Sequence, residues 1–305
     1  MFKYCESQAV IILSSGRKLC KNCFIRYFEK KVFKTIKTFN LIEEGDKIVA
    51  AVSGGKDSLT LLYLLNKITS KRRDIELSAM LVDEGIHNYR NKTIKDAKEF
   101  CKIYEIPLKI YYYKEEFGYT LDELLKKTKA NPCSICGILR RYTLNKYAKK
   151  LQATKLATGH NLDDEAQSIL MNQMKHNIEI SARLGPITGI IRNIGFIPRI
   201  KPLYFMTEKE VSIYSYLKKF ISEFTECPNS FDSYRSDIRD ILNSLEAKYP
   251  GTKNGLVKSF IEMLPILKEK YKFKSSIKSC KVCNEPCSNE ICKTCKIIED
   301  LKLRL

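Results

Sequence analysis

The chain has 305 residues, 44% of them apolar, and carries 54 lysines and arginines against 35 acidic residues, a net charge of +19. That length buries a full core and predicts one large domain with smaller attachments, and the charge makes a polyanion, nucleic acid, the expected partner. No apolar run reaches the roughly 18 residues that span a bilayer, and the N-terminus shows neither an uninterrupted h-region nor a small-residue cleavage site, so no membrane association is expected and the cytoplasm is the expected address.

In chain order, the first expected element is a small hairpin. Cys5, Cys20 and Cys23 flank AVIILSSGRKL, which reads as a zinc-bound hairpin ahead of a helix from about Phe24 to Phe39. A second CxxC would place cysteine where Gln8 stands, so the site is three-cysteine and completed by water or another side chain, or metal-free.

From Asp46 to about Leu203, strand-like and helix-like segments alternate. IVAAV precedes a helix from Ser58, IELSAMLV precedes one near Lys92 to Tyr104, and PLKIYYY precedes Leu121 to Lys127. A helix from Cys136 to Lys150, the strand KLAT and a helix beginning near Leu162 follow. Such alternation predicts βαβ units and an α/β, Rossmann-like parallel sheet covered on both faces, with ligands at the carboxyl ends of its strands. Three of those ends are chemically loaded: SGGKDS, then Asp83-Glu84-Gly85, then Gly159-His160-Asn161-Leu162-Asp163-Asp164.

Gly185 to Tyr204 is rich in Gly and Pro and is expected to wrap the sheet edge. Helical patterns resume at about Thr207 to Phe220, Ser233 to Lys248 and Lys253 to Lys270. Lys248 to Lys281 holds nine lysines and two glutamates, a basic approach to a final cysteine group suited to gripping RNA. In that group Cys280, Cys283, Cys292 and Cys295 form CxxC-x8-CxxC, which supplies four thiolates to one tetrahedral zinc, and Cys287 is a spare thiol between the pairs. The expected organisation is an N-terminal ribbon over 1–27, a nucleotide-binding domain with a helical C-terminal part over 28–250, and a basic helix with a C-terminal zinc ribbon over 251–305.

The chemistry is densest at Ile48 to Ser58, IVAAVSGGKDS. A buried strand breaks at paired glycines, which turn without a Cβ penalty so that several N–H groups meet one anion, and the following helix aims its N-terminal dipole at the same point. Lys56 and the Ser53 and Ser58 hydroxyls are expected to complete the shell. The GxxxxGK[ST] spacing of β,γ-cleaving ATPases is absent. SGGKDS after a strand instead resembles the loop of enzymes that release pyrophosphate from ATP, which implies adenylylation of a substrate oxygen.

Cys133 and Cys136 lie inside this domain, followed by Arg140 and Arg141, with no second CxxC nearby. With Cys227, in Glu226-Cys227-Pro228, they make three thiolates able to meet around a metal centre. Three cysteines leave one iron of a 4Fe–4S cluster open to sulfide or substrate, while the alternative is a Cys133 or Cys136 persulfide resolved by its neighbours. Cys101, alone on an apolar helix, reads as packing.

On these residues the chain resembles the TtuA/TtcA family of PP-loop tRNA 2-thiolation enzymes over nearly its whole length. The carriers are AVSGGKDS at 51–58, VDEGI at 82–86, PCSICGILRRY at 132–142, ATGHNLDDEAQ at 157–167 and ECP around Cys227, and both flanking cysteine groups match the family's zinc ribbons apart from Gln8, Asn284 and Cys287. The resemblance implies that Ser53, Gly54, Gly55, Lys56, Asp57 and Ser58 grip ATP phosphates, and that Ala51, Asp83, Gly159 and Asp164 line the nucleotide site. Cys133, Cys136 and Cys227 would ligate the 4Fe–4S cluster, whose open iron would hold hydrosulfide. Asp164, with Asp163 beside it, would coordinate Mg2+ or handle protons near the reacting base; both also suit the start of a helix. The implied reaction adenylylates the C2 oxygen of a tRNA uridine, wobble or T-loop, and replaces it with sulfur from sulfide or a thiocarboxylated ubiquitin-like protein, in a homodimeric enzyme. Competing readings are an amine-transferring relative such as a lysidine or GMP synthetase, a persulfide sulfurtransferase without a cluster, and a non-catalytic zinc-ribbon tRNA-binding protein.

Overall fold

The computed structural model describes residues 7–190, 195–220, 227–229, 234–272 and 277–301. Strands β1 (Ala9–Ile12) and β2 (Lys18–Cys20) form the expected antiparallel hairpin, and helix α1 (Lys21–Thr38) leaves it directly, burying Phe24, Phe28, Val32 and Ile36 along one stripe. Then follow β3 (Lys47–Val52), α2 (Lys56–Thr69), β4 (Glu76–Asp83), α3 (Arg90–Ile103), β5 (Leu108–Tyr112) and the short α4 (Tyr113–Phe117) and α5 (Leu121–Leu125). The chain continues through α6 (Pro132–Lys150), β6 (Lys155–Thr158), α7 (Leu162–Met174), α8 (Ile178–Ser181), β7 (Arg199–Ile200), α9 (Glu208–Lys218), α10 (Tyr234–Lys248) and α11 (Thr252–Tyr271). A second hairpin, β8 (Lys278–Ser279) with β9 (Pro286–Cys287), and helix α12 (Lys293–Asp300) close the described chain.

The central sheet has the order β5-β4-β3-β6-β7, and every neighbouring pair is parallel. The chain moves outward from β3 to β4 and β5, then crosses back to place β6 on the other side. That reversal opens a crevice at the carboxyl ends of β3 and β6, the place where doubly wound sheets bind ligands. Val49, Ala50 and Val52 of β3 and all four residues of β6 are buried, as a sheet covered on both faces requires. Leu59, Leu61, Leu62, Leu64 and Leu65 of α2 are fully buried, each contributing about 2 kcal/mol by leaving water. The glycine turn before α2 is thereby anchored to the core.

Three expectations change. Gly185 to Tyr204 contributes a fifth strand, β7, too short to read from alternation yet paired in parallel with β6. Helix α6 starts at Pro132 rather than Cys136: Asn131 caps it by accepting the Ser134 N–H at 3.2 Å, and proline suits the first turn, where its missing N–H leaves no bond unmade. Finally, α11 packs into one apolar cluster with α7 and α10 through Val257, Phe260 and Leu264, so the boundary expected near 250 falls inside a packed layer. No helix among the described residues is long and apolar enough to cross a membrane.

The turn after β3 depends on glycine. Gly54 has φ +82°, and a Cβ there would sit 2.0 Å from the Thr93 carbonyl oxygen of α3. Gly54→Ala is therefore expected to destabilise the fold by about 3 kcal/mol through strain and displacement of α3, read as a lowered Tm with loss of ATP binding.

Candidate active site

The turn between β3 and α2 is closed by its own hydroxyls. Ser58 Oγ donates to the Gly55 carbonyl at 2.9 Å and accepts the Ser53 N–H at 3.1 Å, while Ser53 Oγ accepts the Gly55 N–H at 3.3 Å. The two serines, expected to face a phosphate, here brace the loop. Gly55 caps α2 without a side chain, so the helix start keeps backbone donors for an incoming anion. Ala51 is half-buried in β3 just before the turn.

Lys56 Nζ bridges Asp57 at 2.9 Å and Glu208 of α9 at 3.0 Å. Burial works to lower its pKa, but the two carboxylates outweigh burial and raise it. Lys56 is thus a fixed positive charge and not a base. Asp57 also accepts from Asn161 Nδ2 at 3.0 Å, tying the turn to the end of β6, where a Cβ on Gly159 would lie only 3.0 Å from the Asp57 backbone. Asp83 ends β4 and accepts the Gly85 N–H at 2.7 Å, shaping the third loop of the crevice.

Asn161, not an aspartate, caps α7, and Asp164 completes a capping box by accepting the Asn161 N–H at 3.1 Å. Asp164 lies at the crevice floor with 35% of its side chain exposed and Arg235 at 3.8 Å. Burial pushes its carboxyl up to about 6, against the pull of the Asn161 N–H and Arg235. A raised folded-state pKa stabilises the protonated form: its contribution is full below the ordinary carboxylate range and is lost as pH rises through about 6. Asp164→Asn should therefore raise Tm by about 2 °C at pH 7.5, after allowance for solvent screening, with the gain vanishing near pH 3.5. Turnover that needs the carboxylate should fall below pH 6, and a melting series with a pH–rate profile checks both.

Asp163, expected beside Asp164, is instead a buried strut. Its carboxylate pairs with Lys253 of α11 and accepts the Glu208 N–H at 2.7 Å, joining α7, α9 and α11. A cavity of about 1600 Å3 reaches Asp163 and Glu208 from the side of the β1–β2 hairpin and α1, outside the crevice itself.

Cys133 and Cys136 are three residues apart in the first turn of α6, hence on one face. Cys133 is exposed, with Sγ 3.1 Å from the Asn229 carbonyl, next to the Cys227 segment; Cys136 and Cys227 are half-buried in one apolar cluster with Tyr113 and Tyr89. Burial, then the Glu84 carboxylate, pushes the Cys136 thiol up to about 11, and Cys227 is raised by burial and by Cys133. Cys133 and Cys136 on one face of α6, with Cys227 in the neighbouring segment, make a three-thiol donor set, which fits a 4Fe–4S cluster in which each thiolate binds a different iron. Glu84 is fully buried against Arg90, with Arg140 at 3.6 Å, which brings two guanidinium groups near the thiols.

The C-terminal cysteines answer a different geometry. Cys280, Cys283, Cys292 and Cys295 hold their sulfurs within 4.8 Å of one another, with 3.8 Å between Cys280 and Cys295 and between Cys283 and Cys292. Tetrahedral zinc with Zn–S near 2.3 Å sets sulfurs about 3.8 Å apart, so the donor set fits. Cys287 Sγ lies 2.8 Å from the Asn289 carbonyl, outside that quartet. At the N-terminus, Cys20 and Cys23 sit at the junction of β2 and α1, whereas Cys5 lies outside the described residues.

Residues that sequence reasoning passed over complete the site. Glu208 and Arg90 grip the loop after β3; Arg199 and Arg235 surround His160, whose Nδ1 is 3.0 Å from Thr158 Oγ1. His160 is exposed at the crevice, and desolvation there, then Lys201, Arg235, Arg199 and Arg140, lowers its pKa below the ordinary value. Only the lone basic residues in the sequence hinted at this.

A family profile for the PP-loop domain matches residues 26–245. A Methanocaldococcus jannaschii protein named "Probable sulfurtransferase" is 39% identical over 94% of this chain and 84% of that protein. The "tRNA-5-methyluridine(54) 2-sulfurtransferase" of Pyrococcus horikoshii is 38% identical over 96% and 92%. Among solved structures, the "U34-tRNA thiolase NcsA" of Methanococcus maripaludis, determined with its [4Fe-4S] cluster, superposes with a TM-score of 0.84 at 34% identity, covering 98% of this chain and 95% of that one.

Proposed function

Since this chain belongs to the PP-loop family of tRNA 2-thiolation enzymes, we propose that it converts a tRNA uridine to 2-thiouridine at the expense of ATP. The supporting observation is the line of groups along one sheet edge: thiols by β4 and β5, the anion turn after β3, and Asp164 after β6.

Lys56 and the α2 N-terminus hold the ATP phosphates, with Asp57 and Asn161 keeping the turn in register; Mg2+ carried by the nucleotide would add to the neutralisation of phosphate charge. The uridine C2 oxygen forms a bond to the α-phosphorus as the α,β-bridging bond breaks and pyrophosphate leaves. Asp164 takes the N3 proton in that step, a role suited to a carboxyl near 6. Sulfur then attacks C2, the C2–O bond breaks, AMP leaves with the original oxygen, and the proton returns to N3. When bound by Cys133, Cys136 and Cys227, a 4Fe–4S cluster with one open iron supplies a sulfur-binding position beside the activated carbon. Zinc, if held by Cys280, Cys283, Cys292 and Cys295, would fold the C-terminal ribbon, which docks on α6 through Glu285, paired with Lys149. The sulfur donor is sulfide or a thiocarboxylated ubiquitin-like protein, and the enzyme acts as a homodimer in the cytoplasm.

The test uses anaerobically reconstituted protein with ATP, sulfide and bulk tRNA. Pyrophosphate and 2-thiouridine should form in equal amounts, and nucleoside mass spectrometry of tRNA fragments locates the base. ATP-independent tRNA binding without turnover would replace this reading by that of an RNA-binding protein.

A further inference from the structure

Three guanidinium groups gather at the β7 side of the site with little to balance them. Arg141 follows Arg140 on α6, Arg199 opens β7, and Arg235 lies in the first turn of α10. Arg199 Nη2 donates to the Arg141 carbonyl at 3.4 Å, and Arg141 folds back over Gly137, whose Cβ would meet its Nη1 at 3.3 Å. Arg235 is held by Gln167 Oε1 at 3.2 Å and Ser168 Oγ at 3.0 Å, with Asp164 at 3.8 Å. Among the described residues no carboxylate pairs with Arg141 or Arg199.

Such crowding is unfavourable in the unliganded protein. Burial, then Arg141 and Arg140, brings the half-buried Arg199 down to about 10, while Arg141 stays exposed beside it. Arg141 and Arg199, which no described carboxylate pairs with, are compensated when a ligand brings the anion, and planar guanidinium forks match phosphate oxygens in pairs. ATP phosphates already have the α2 N-terminus and Lys56, and among the described residues Lys56 pairs with Asp57 and Glu208 and makes no direct contact with these arginines.

We propose that Arg141, Arg199 and Arg235 seat a phosphodiester of the RNA strand next to the reacting nucleotide. The inference rests on the thiolation reading and adds to it the means by which the strand is anchored while the base meets Asp164. Because Arg235 reaches both the seat and Asp164, an occupied seat and the proton-handling carboxylate share one guanidinium.

Arg199→Gln and Arg141→Gln, singly and combined, are compared with wild type in fluorescence anisotropy with bulk tRNA across a salt series, and in calorimetry with ATP. Each single change should weaken tRNA binding roughly tenfold and make the log–log salt slope shallower by about 0.7, with ATP affinity unchanged. Arg199→Lys, which keeps the charge, should retain most of the affinity and serves, with Arg141→Gln, if Arg199→Gln melts early. Unchanged tRNA affinity and slope in these variants would overturn the seat. Weakened ATP binding with intact tRNA binding would overturn it too, assigning the arginines to a nucleotide phosphate. A wild-type protein that binds tRNA in an arginine-dependent way but forms no thiouridine would instead defeat the enzymatic reading alone.

Discussion

Cys136→Ser should lower 2-thiouridine formation by on the order of a thousandfold or more while ATP still binds. Cys136 sits in the first turn of α6, half-buried, with its backbone carbonyl accepting from Tyr113 Oη at 3.0 Å, so the sulfur is held by a packed helix start. Serine keeps the size and the helix but offers a hard, poorly acidic oxygen where iron needs a thiolate. A cluster left with two of three protein ligands would lose iron, and the sulfur that would attack C2 would no longer be delivered next to it. The checks are iron content and thiouridine yield after anaerobic reconstitution, with calorimetry for ATP. Wild-type yield from an iron-free Cys136→Ser protein would sink the cluster-assisted mechanism. The persulfide alternative is separated by the iron analysis, since it predicts loss of yield in a protein that never held iron.

Lys56→Ala should reduce kcat/KM for ATP by about 100- to 1000-fold, the range seen when one preorganised charge is removed from developing phosphate charge. Asp57 and Glu208 already hold the ammonium at the mouth of the turn, so its charge is preorganised where the triphosphate enters. Its removal also leaves those two carboxylates facing the nucleotide, and their repulsion adds to the loss. Pyrophosphate release as a function of ATP concentration measures the effect. Lys56→Arg, which keeps the charge but not the compact head, should recover only part of the rate. A Lys56→Ala protein with unchanged kcat/KM would remove this residue from the phosphate grip.

Much of the architecture is readable without coordinates because it depends on local chemistry. Buried β-branched runs alternating with amphipathic segments demand a parallel sheet, and SGGKDS directly after one such run needs little context to be seen as an anion turn. The CxxC-x8-CxxC spacing likewise brings four sulfurs to zinc distances through the β8–β9 hairpin and the first turn of α12, so only local geometry is involved.

What the sequence by itself determined, then, is the sheet, the phosphate turn and the C-terminal sulfur quartet, each built from residues that are neighbours along the chain. Tertiary structure decided the rest. The edge strand β7 exists only because β6 offers it a partner; Asp163 and Asp164 separate into strut and site group because Lys253, 90 residues away, claims one of them. Glu208 reaches Lys56 across 152 residues, and Arg199 reaches Arg141 across 58. Side-chain periodicity reports which face of an element is buried, but the pairing of charges in a cleft depends on how distant elements cross, and that is settled only when the whole core packs.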